Sequence, residues 1–578
     1  MSRKIVGREC RFATHVYPKR PDCDDMHVVK EIVHYDDGTI EPRLNYIKNY
    51  KRPLYVTKKG YQNHQQKKEH EYLDRLDRYE CTQSELRYAI ARALGKEWSR
   101  EGLKQLCSSP YVYGTDITAS ALIKHEYKQK YPTYNTRYTL ATLDLETDVL
   151  NGVGDIILGS TAFEKNVHLV FRKDFLNGID FVKEKATEKF RRYLKDYINP
   201  DEYTFTVDVV DDEIALLKSL FKKIHSWKPD WLAIWNIDFD MPKMLAACAR
   251  FSVNPEDIFC DPSVPEDYRY FNYKPGPKKK ATASGKVMPI KPASQWHATY
   301  CTATFTFIDA MSSFKHIRLA KQEEASYALN YILQKFGVPR KLEFAEADQY
   351  TGLEWHKFMQ SYYKLEYGIY CNWDSMSMLQ LDEKTKDLAF TLPTLSQCAD
   401  FDIFKSQPKR IATAFHFHAI NNNQRVLAAT GSTTTFSKNL DELAETTGDD
   451  EEDEDESNDK GIAENLKNWI VTLQPEYMVP NGLRCIKECP TMPTNIYIGV
   501  TDMDITAAYP SATEGCNVSK ETTKYELIEV KGIDSKVVKL NNINLLSGHV
   551  NAVDYCVNMF GFPKPAELLA LYLTSKLK

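Results

Sequence analysis

The chain has 578 residues, 43% of them hydrophobic and 27% charged, room for roughly three to four globular domains of about 150 residues each. Twelve acids and no Lys or Arg fall within positions 441–459, so the formal net charge of -5 becomes +7 outside that run, a balance compatible with a groove that contacts phosphates. Thirteen scattered cysteines exclude a disulfide framework, and no membrane-length apolar run or signal-peptide core occurs, so a soluble protein in a reducing compartment is expected, cytoplasmic or in the host-cell cytoplasm if viral, with no membrane partner.

Residues 1–136 form an expected amino-terminal domain, with a turn at Asp36-Asp37-Gly38, a polar stretch from Gln65 to Arg75 and a helix from Ser84 to Leu94. Strands are predicted at Tyr138–Leu143, Asp155–Ser160 and Val167–Phe171. A helix follows from Asp212 to Trp227, with Ile214, Leu217, Leu220 and Ile224 on one face. Pro229-Asp230 ends it before an apolar strand, Trp231 to Trp235. Strand and helix alternate as in α/β folds, so the fold class is α/β and multi-domain. The Pro/Gly-rich stretch 262–300 carries Lys278, Lys279, Lys280 and Lys286. It is an insertion, either solvated or touching DNA where single and double strands meet. A strand resumes at Phe305–Asp309, one helix is predicted over Phe358–Leu381, and 441–459 is expected to be a disordered acidic loop within a segment, 386–480, that returns to the amino-terminal domain. Cys485 and Cys489 have no second pair at finger-like spacing, which argues against zinc.

Three acidic segments stand in fixed order: Leu143-Asp144-Leu145-Glu146-Thr147, Trp235-Asn236-Ile237-Asp238-Phe239-Asp240 and Tyr370-Cys371-Asn372-Trp373-Asp374. Phosphodiester hydrolysis needs an attacking hydroxide, a stabilised leaving alkoxide and a neutralised anionic transition state, and two divalent cations about 3.5 to 4 Å apart supply all three. Asp144 and Glu146, two apart on a strand, project from one face and suit such cations. Asp240 is expected in the loop after the Trp235 strand, where α/β sheets place ligands. Tyr370 and Asp374, four apart, share a helix face, which sets a phenol beside a carboxylate where it can orient water. Each element alone is commonplace; an Asp-x-Glu pair usually marks a solvated strand edge.

In order and context the three segments resemble the proofreading exonuclease domain of family B DNA polymerases, most closely the T4-like phage type. The likeness runs through Phe307-Ile308-Asp309 and the helix start at Ser326-Tyr327-Ala328-Leu329-Asn330. It implies an RNase H-like 3′–5′ exonuclease domain over 137–385, with Asp144, Glu146, Asp240 and Asp374 as metal ligands for two Mg²⁺ or Mn²⁺ ions and Tyr370 as a further catalytic residue. It also implies DNA contacts from Asn236 and Phe239, to which Lys278, Lys279 and Lys280 are added if the insertion touches DNA.

Farther on, Asp504-Ile505-Thr506-Ala507-Ala508-Tyr509-Pro510-Ser511 resembles the family's first polymerase motif, Asp-x-x-Ser-Leu-Tyr-Pro-Ser. Asn517-Val518-Ser519-Lys520-Glu521-Thr522 is similar to the phage Asn-Ile-Ser-Pro-Glu-Thr. The resemblance makes 481–578 the first part of a palm, with Asp504 a catalytic metal ligand and Ile505 and Tyr509 nucleotide-binding. Ala507 and Ala508 depart from the pattern, which leaves nucleotide selectivity open. Neither the later Asp-Thr-Asp turn nor the Lys-x-x-x-Asn-Ser-x-Tyr-Gly helix follows before Lys578. One carboxylate cannot hold two cations for nucleotidyl transfer. The chain is therefore expected to be the amino-terminal subunit of a split polymerase acting on primer-template and single-stranded DNA. A second subunit would bring fingers, thumb and the rest of the palm, and through it a sliding clamp. A stand-alone exonuclease with a vestigial palm, or a nucleic-acid-binding or repressor protein, are the alternatives.

Overall fold

Strands and helices alternate through most of the chain, and where they do so a mixed six-stranded sheet results. The computed structural model describes residues 3–427 apart from 65–66, 69, 97–100, 153, 282–286 and 319–322, together with the backbone of three short strands between 538 and 550. Two compact units, Met1–Asp450 and Glu451–Lys578, divide the chain.

The first unit opens with β1 (Ile5–Val16), β2 (Met26–Tyr35) and β3 (Ile40–Lys48), an antiparallel sheet whose β2–β3 turn uses Gly38 at φ 81°. Positive φ is the region glycine enters without steric cost. β4 (Arg52–Thr57), β5 (His70–Tyr72) and β6 (Leu76–Cys81) follow, then α1 (Leu86–Ala93), β7 (Val112–Tyr113) and α2 (Ala119–Lys130).

The central sheet begins at β8 (Leu140–Thr147) and takes in β9 (Ile156–Phe163), β10 (Asn166–Arg172), β11 (Thr204–Val210), β12 (Trp231–Ile234) and, last, β17. Between β12 and β17 lies the 262–300 insertion, which forms β13 (Phe271–Lys274), β14 (Lys279–Ala281), β15 (Val287–Pro289) and β16 (Ala298–Cys301). β13 pairs with β16 and β14 with β15, both antiparallel. β17 (Thr306–Asp309) closes the sheet, whose order is β11-β10-β9-β8-β12-β17. β9 runs antiparallel to β8 and β10, whereas β12 and β17 run parallel to β8.

Helices cover both faces of that sheet. α3 (Val182–Leu194) precedes α4 (Glu213–Trp227), where Asp212 caps the first turn by accepting from the Ala215 amide at 2.7 Å. Such a cap satisfies an amide the helix cannot satisfy itself. α4 packs over β9, β10 and β11 and buries Leu217, Leu220, Phe221 and Ile224 in one core cluster with side chains of β8 and β12, each fully buried side chain contributing about 1.5–3 kcal/mol. It stops at Lys228, which turns left-handed at φ 53° ahead of Pro229. α5 (Ile237–Arg250), α6 (Ala310–Ile317), α7 (Gly352–Tyr362), α8 (Lys364–Thr385) and α9 (Gln407–Asn423) complete the helices used below. β18 (Arg425–Leu427) then pairs antiparallel with β5, so the chain after the central sheet comes back to the amino-terminal part.

Asp230, fully buried just ahead of β12, joins the amino-terminal sheet to the central one. It accepts from the Thr139 amide at 2.8 Å, and it lies 3.4 Å from both Arg11 Nε on β1 and Lys30 Nζ on β2. Lys30 also donates to the carbonyls of Lys228, Pro229 and Thr304. Buried charges persist where opposite charges and hydrogen-bond partners are supplied beside them.

Two expectations are corrected. The single helix over Phe358–Leu381 is two helices, α7 and α8, separated at Tyr363 (φ -127°, ψ 47°). α7 buries only Met359 and Gln360, whereas α8 is buried on nearly every side from Leu365 to Met378, and one straight rod cannot satisfy both demands. Asp240 is not in a loop but in the first turn of α5. Asp238 and Asp240 lie at its positive end, where acids are favoured, and Pro242 falls inside the helix.

In the second unit the described strands are β19 (Val538–Leu540), β20 (Ile543–Leu546) and β21 (His549–Val550), antiparallel neighbours in that order. Asp504, Ile505, Tyr509 and the acidic run 441–459 lie outside the described residues. Among the described residues no helix is long and apolar enough to cross a membrane, and the cysteines are free thiols.

Candidate active site

Asp144 and Glu146 project from one face of β8, while Leu143 and Leu145 between and before them are buried on the other. α8 lies across the acidic face, stitched to the sheet by small polar groups. Thr142 Oγ1 donates to the Ser375 carbonyl (2.9 Å), Ser160 Oγ to Asn372 Oδ1 (2.7 Å) and Ser375 Oγ to the Ser160 carbonyl (3.2 Å). Gly368 lets the helix come down on β10: a Cβ there would stand 2.3 Å from Phe171 Cζ. This docking brings Tyr370 and Asp374, one helical turn apart, to the β8 acids, with the Cys371 thiol 3.5 Å from the Asp144 carbonyl. Asp240 reaches the same place from α5, whose start is fixed by the end of β12.

The four carboxylates share one electrostatic site. Burial first, and then Asp374, push Asp144 up to about 7. Burial and then Asp144 hold Glu146 well above the ordinary glutamate value, and burial with Asp144 and Glu146 does the same to Asp240. Burial also raises Asp374, opposed by Lys341. Desolvation and like-charge neighbours both disfavour the ionised form, which accounts for the common direction.

Lys341 is the cation that answers these acids. Its ammonium donates to Asp374 and, at 2.9 Å, to Tyr370 Oη, and it sits 4.9 Å from the Tyr370 ring centre. Burial works against its charge, but Asp374 and Asp144 hold it above the ordinary lysine value. Two bonds fix its loop: the Lys341 amide donates to Asn330 Oδ1 (3.1 Å), and Trp373 Nε1 donates to the Arg340 carbonyl (2.7 Å). A second phenol, Tyr367, donates to Glu146 Oε2.

Oxygen-rich, anionic and short of positive charge, the site has the donor chemistry of a Mg²⁺ or Mn²⁺ centre. Asp240 Oδ1 and Asp374 Oδ1 are buried with no hydrogen-bond partner among the described residues. Such oxygens are costly unless something binds them. As the side chains stand, no three His, Cys, Asp or Glu among the described residues are gathered closely enough to cage an ion; the carboxylates would have to draw together around one.

The structure thus assembles Asp144, Glu146, Asp240, Tyr370 and Asp374, and sets the expected DNA contacts beside them without bringing them in. Asn236 immediately precedes α5 and makes no capping bond. Phe239 is 49% exposed, with the Lys243 ammonium 6.0 Å from its ring centre. Lys278 pairs with Asp238 at 2.8 Å, which ties the insertion to the start of α5, while Lys279 and Lys280 are exposed on β14. Lys341, Tyr367 and His356 were not legible as site residues. Tyr367 carried a signal, standing three residues before Tyr370 and so on the same helix face, but Lys341 lies on a loop with no local pattern. No protein-family model and no curated protein matches the chain.

Proposed function

We propose that the chain is a metal-dependent 3′–5′ exonuclease acting on DNA. The observation that carries it is the meeting of four carboxylates from β8, α5 and α8 around one site, with a phenol and a lysine among them. The sheet order, with β9 antiparallel to its neighbours and β12 and β17 parallel to β8, supports an RNase H-like domain.

Asp144, Glu146, Asp240 and Asp374 would hold the divalent cations. When bound, those cations supply hydroxide activation, leaving-group stabilisation and neutralisation of charge on phosphorus. Tyr370, beside Asp374, offers its hydroxyl to orient the attacking water. Lys341 opposes the rise that burial imposes on Asp374 and steadies the Tyr370 phenol. The exposed Phe239 ring is a surface on which a base can stack, and the β14–β15 hairpin, with Lys278, Lys279 and Lys280 at its start, offers cations to the strand's phosphates. From the sequence alone the proposal extends to DNA synthesis, with Asp504, Ile505 and Tyr509 acting on a primer-template together with a second subunit.

The test is purified chain with 5′-labelled single-stranded DNA and Mg²⁺ or Mn²⁺. Stepwise shortening from the 3′ end is expected, falling about a hundredfold or more in Asp144→Ala. DNA binding without cleavage in either metal would leave a nucleic-acid-binding protein instead.

A further inference from the structure

We infer that Tyr367 is a positioning residue for Glu146, and that α7 is present beside the site to aim its hydroxyl, setting how tightly the acids grip divalent cations. This rests on the nuclease proposed above.

Tyr367 is fully buried, one turn before Tyr370 on α8, and the two rings lie parallel, 4° apart in plane with centres 6.1 Å apart. Three groups meet its Oη: Glu146 Oε2, His356 Nδ1 at 2.8 Å and Gln360 Nε2 at 3.4 Å. A phenol has one proton to give and lone pairs to receive with. The Gln360 amide is oriented independently, since Oε1 accepts from the Val149 amide (3.1 Å) and Nε2 donates to the Thr147 carbonyl (2.8 Å). Gln360 therefore presents N–H to Tyr367. With Glu146 ionised, the phenolic proton goes to the carboxylate and the remaining lone pair takes the N–H of His356. Donors converging on Oη polarise the bond it makes to Glu146.

The consequence is geometric. Oε2 of Glu146 is tethered to α8, which restrains the carboxylate's rotation. His356 and Gln360 both belong to α7, and the break at Tyr363 lets α7 fold back so that they meet a residue of α8. Partners that orient a ligand in this way typically change metal affinity about 10–100-fold when removed.

Tyr367→Phe keeps the ring and its stack and removes only the hydroxyl. Mn²⁺ binding to the full chain without DNA, followed by calorimetry or by the loss of the free Mn²⁺ resonance, is expected to weaken about tenfold in Tyr367→Phe and in the same direction, less, in His356→Ala. Exonuclease turnover at limiting Mn²⁺ falls accordingly and returns at saturating Mn²⁺, with KM for DNA unchanged. If Asp144→Ala abolishes Mn²⁺ binding while both Tyr367→Phe and His356→Ala bind like the wild type, the positioning role is wrong and the nuclease proposal stands. A wild-type chain that binds no Mn²⁺ overturns both. Should Tyr367→Phe not fold, an unaltered Mn²⁺ affinity in His356→Ala is sufficient to refute the role.

Discussion

Replacing Asp144 with Asn should stabilise the metal-free chain while removing its nuclease activity. Asp144 titrates near 7 in the fold against an ordinary 3.8, so keeping it ionised at pH 8 sets the fold against about three decades of proton affinity, a ceiling on the order of 4 kcal/mol. The side chain is only partly buried and neighbouring acids can move apart, so about 1–2 kcal/mol is expected to survive. Because the folded value is raised, the wild type has this stability in full below about pH 4 and loses it as pH rises through 7; the amide does not titrate. Melts in chelator across pH 4–8 should therefore show no difference between variant and wild type at the acid end. Toward pH 8 the variant should gain about 2–8 °C. Added Mn²⁺ should raise the wild-type melting temperature and leave the variant nearly unmoved. Equal stability at pH 8, or a gain that persists undiminished at pH 4, would show that the carboxylates do not repel one another as described.

Gly368→Ala places a methyl 2.3 Å from Phe171 Cζ and 2.7 Å from Cε1, so α8 must lift from β10; urea unfolding should show a loss of about 1–3 kcal/mol, with exonuclease activity falling because Tyr370 and Asp374 ride on the same helix, and wild-type behaviour in both assays would refute the close contact. Lys341→Met keeps the apolar stem but strips Asp374 of its cation, and stability at pH 8 should drop by about 2 kcal/mol together with nuclease activity, an unchanged melt counting against the ion pair.

Much of the central sheet could be read from the chain. The apolar face of α4, its Asp212 cap and the breaker at Pro229 are local signals, and they place its ends within a residue of where they fall. The spacing of Asp144 and Glu146, and of Tyr370 and Asp374, is local as well, so their shared faces were legible. Lys341 was not, because its role comes from a loop held by Asn330 and the Arg340 carbonyl, contacts made across the tertiary structure. The α7–α8 break was hidden for a related reason: apolar periodicity says that a segment is helical, whereas how deeply each half is buried depends on what packs against it. Asp240 was assigned to a loop because it follows the Trp235 strand, where α/β sheets place ligands; the helix instead starts at once, and its positive end accommodates the acids.

The Asp230 clasp bears on how this protein can be dissected. A fragment trimmed to 137–385 would leave behind Arg11 and Lys30, stranding a sealed carboxylate at the root of β12, the strand that leads into Asp240. Such an excised module would carry every acid of the site and still have a reason to misfold, so a silent fragment would say little about the chemistry of the intact chain.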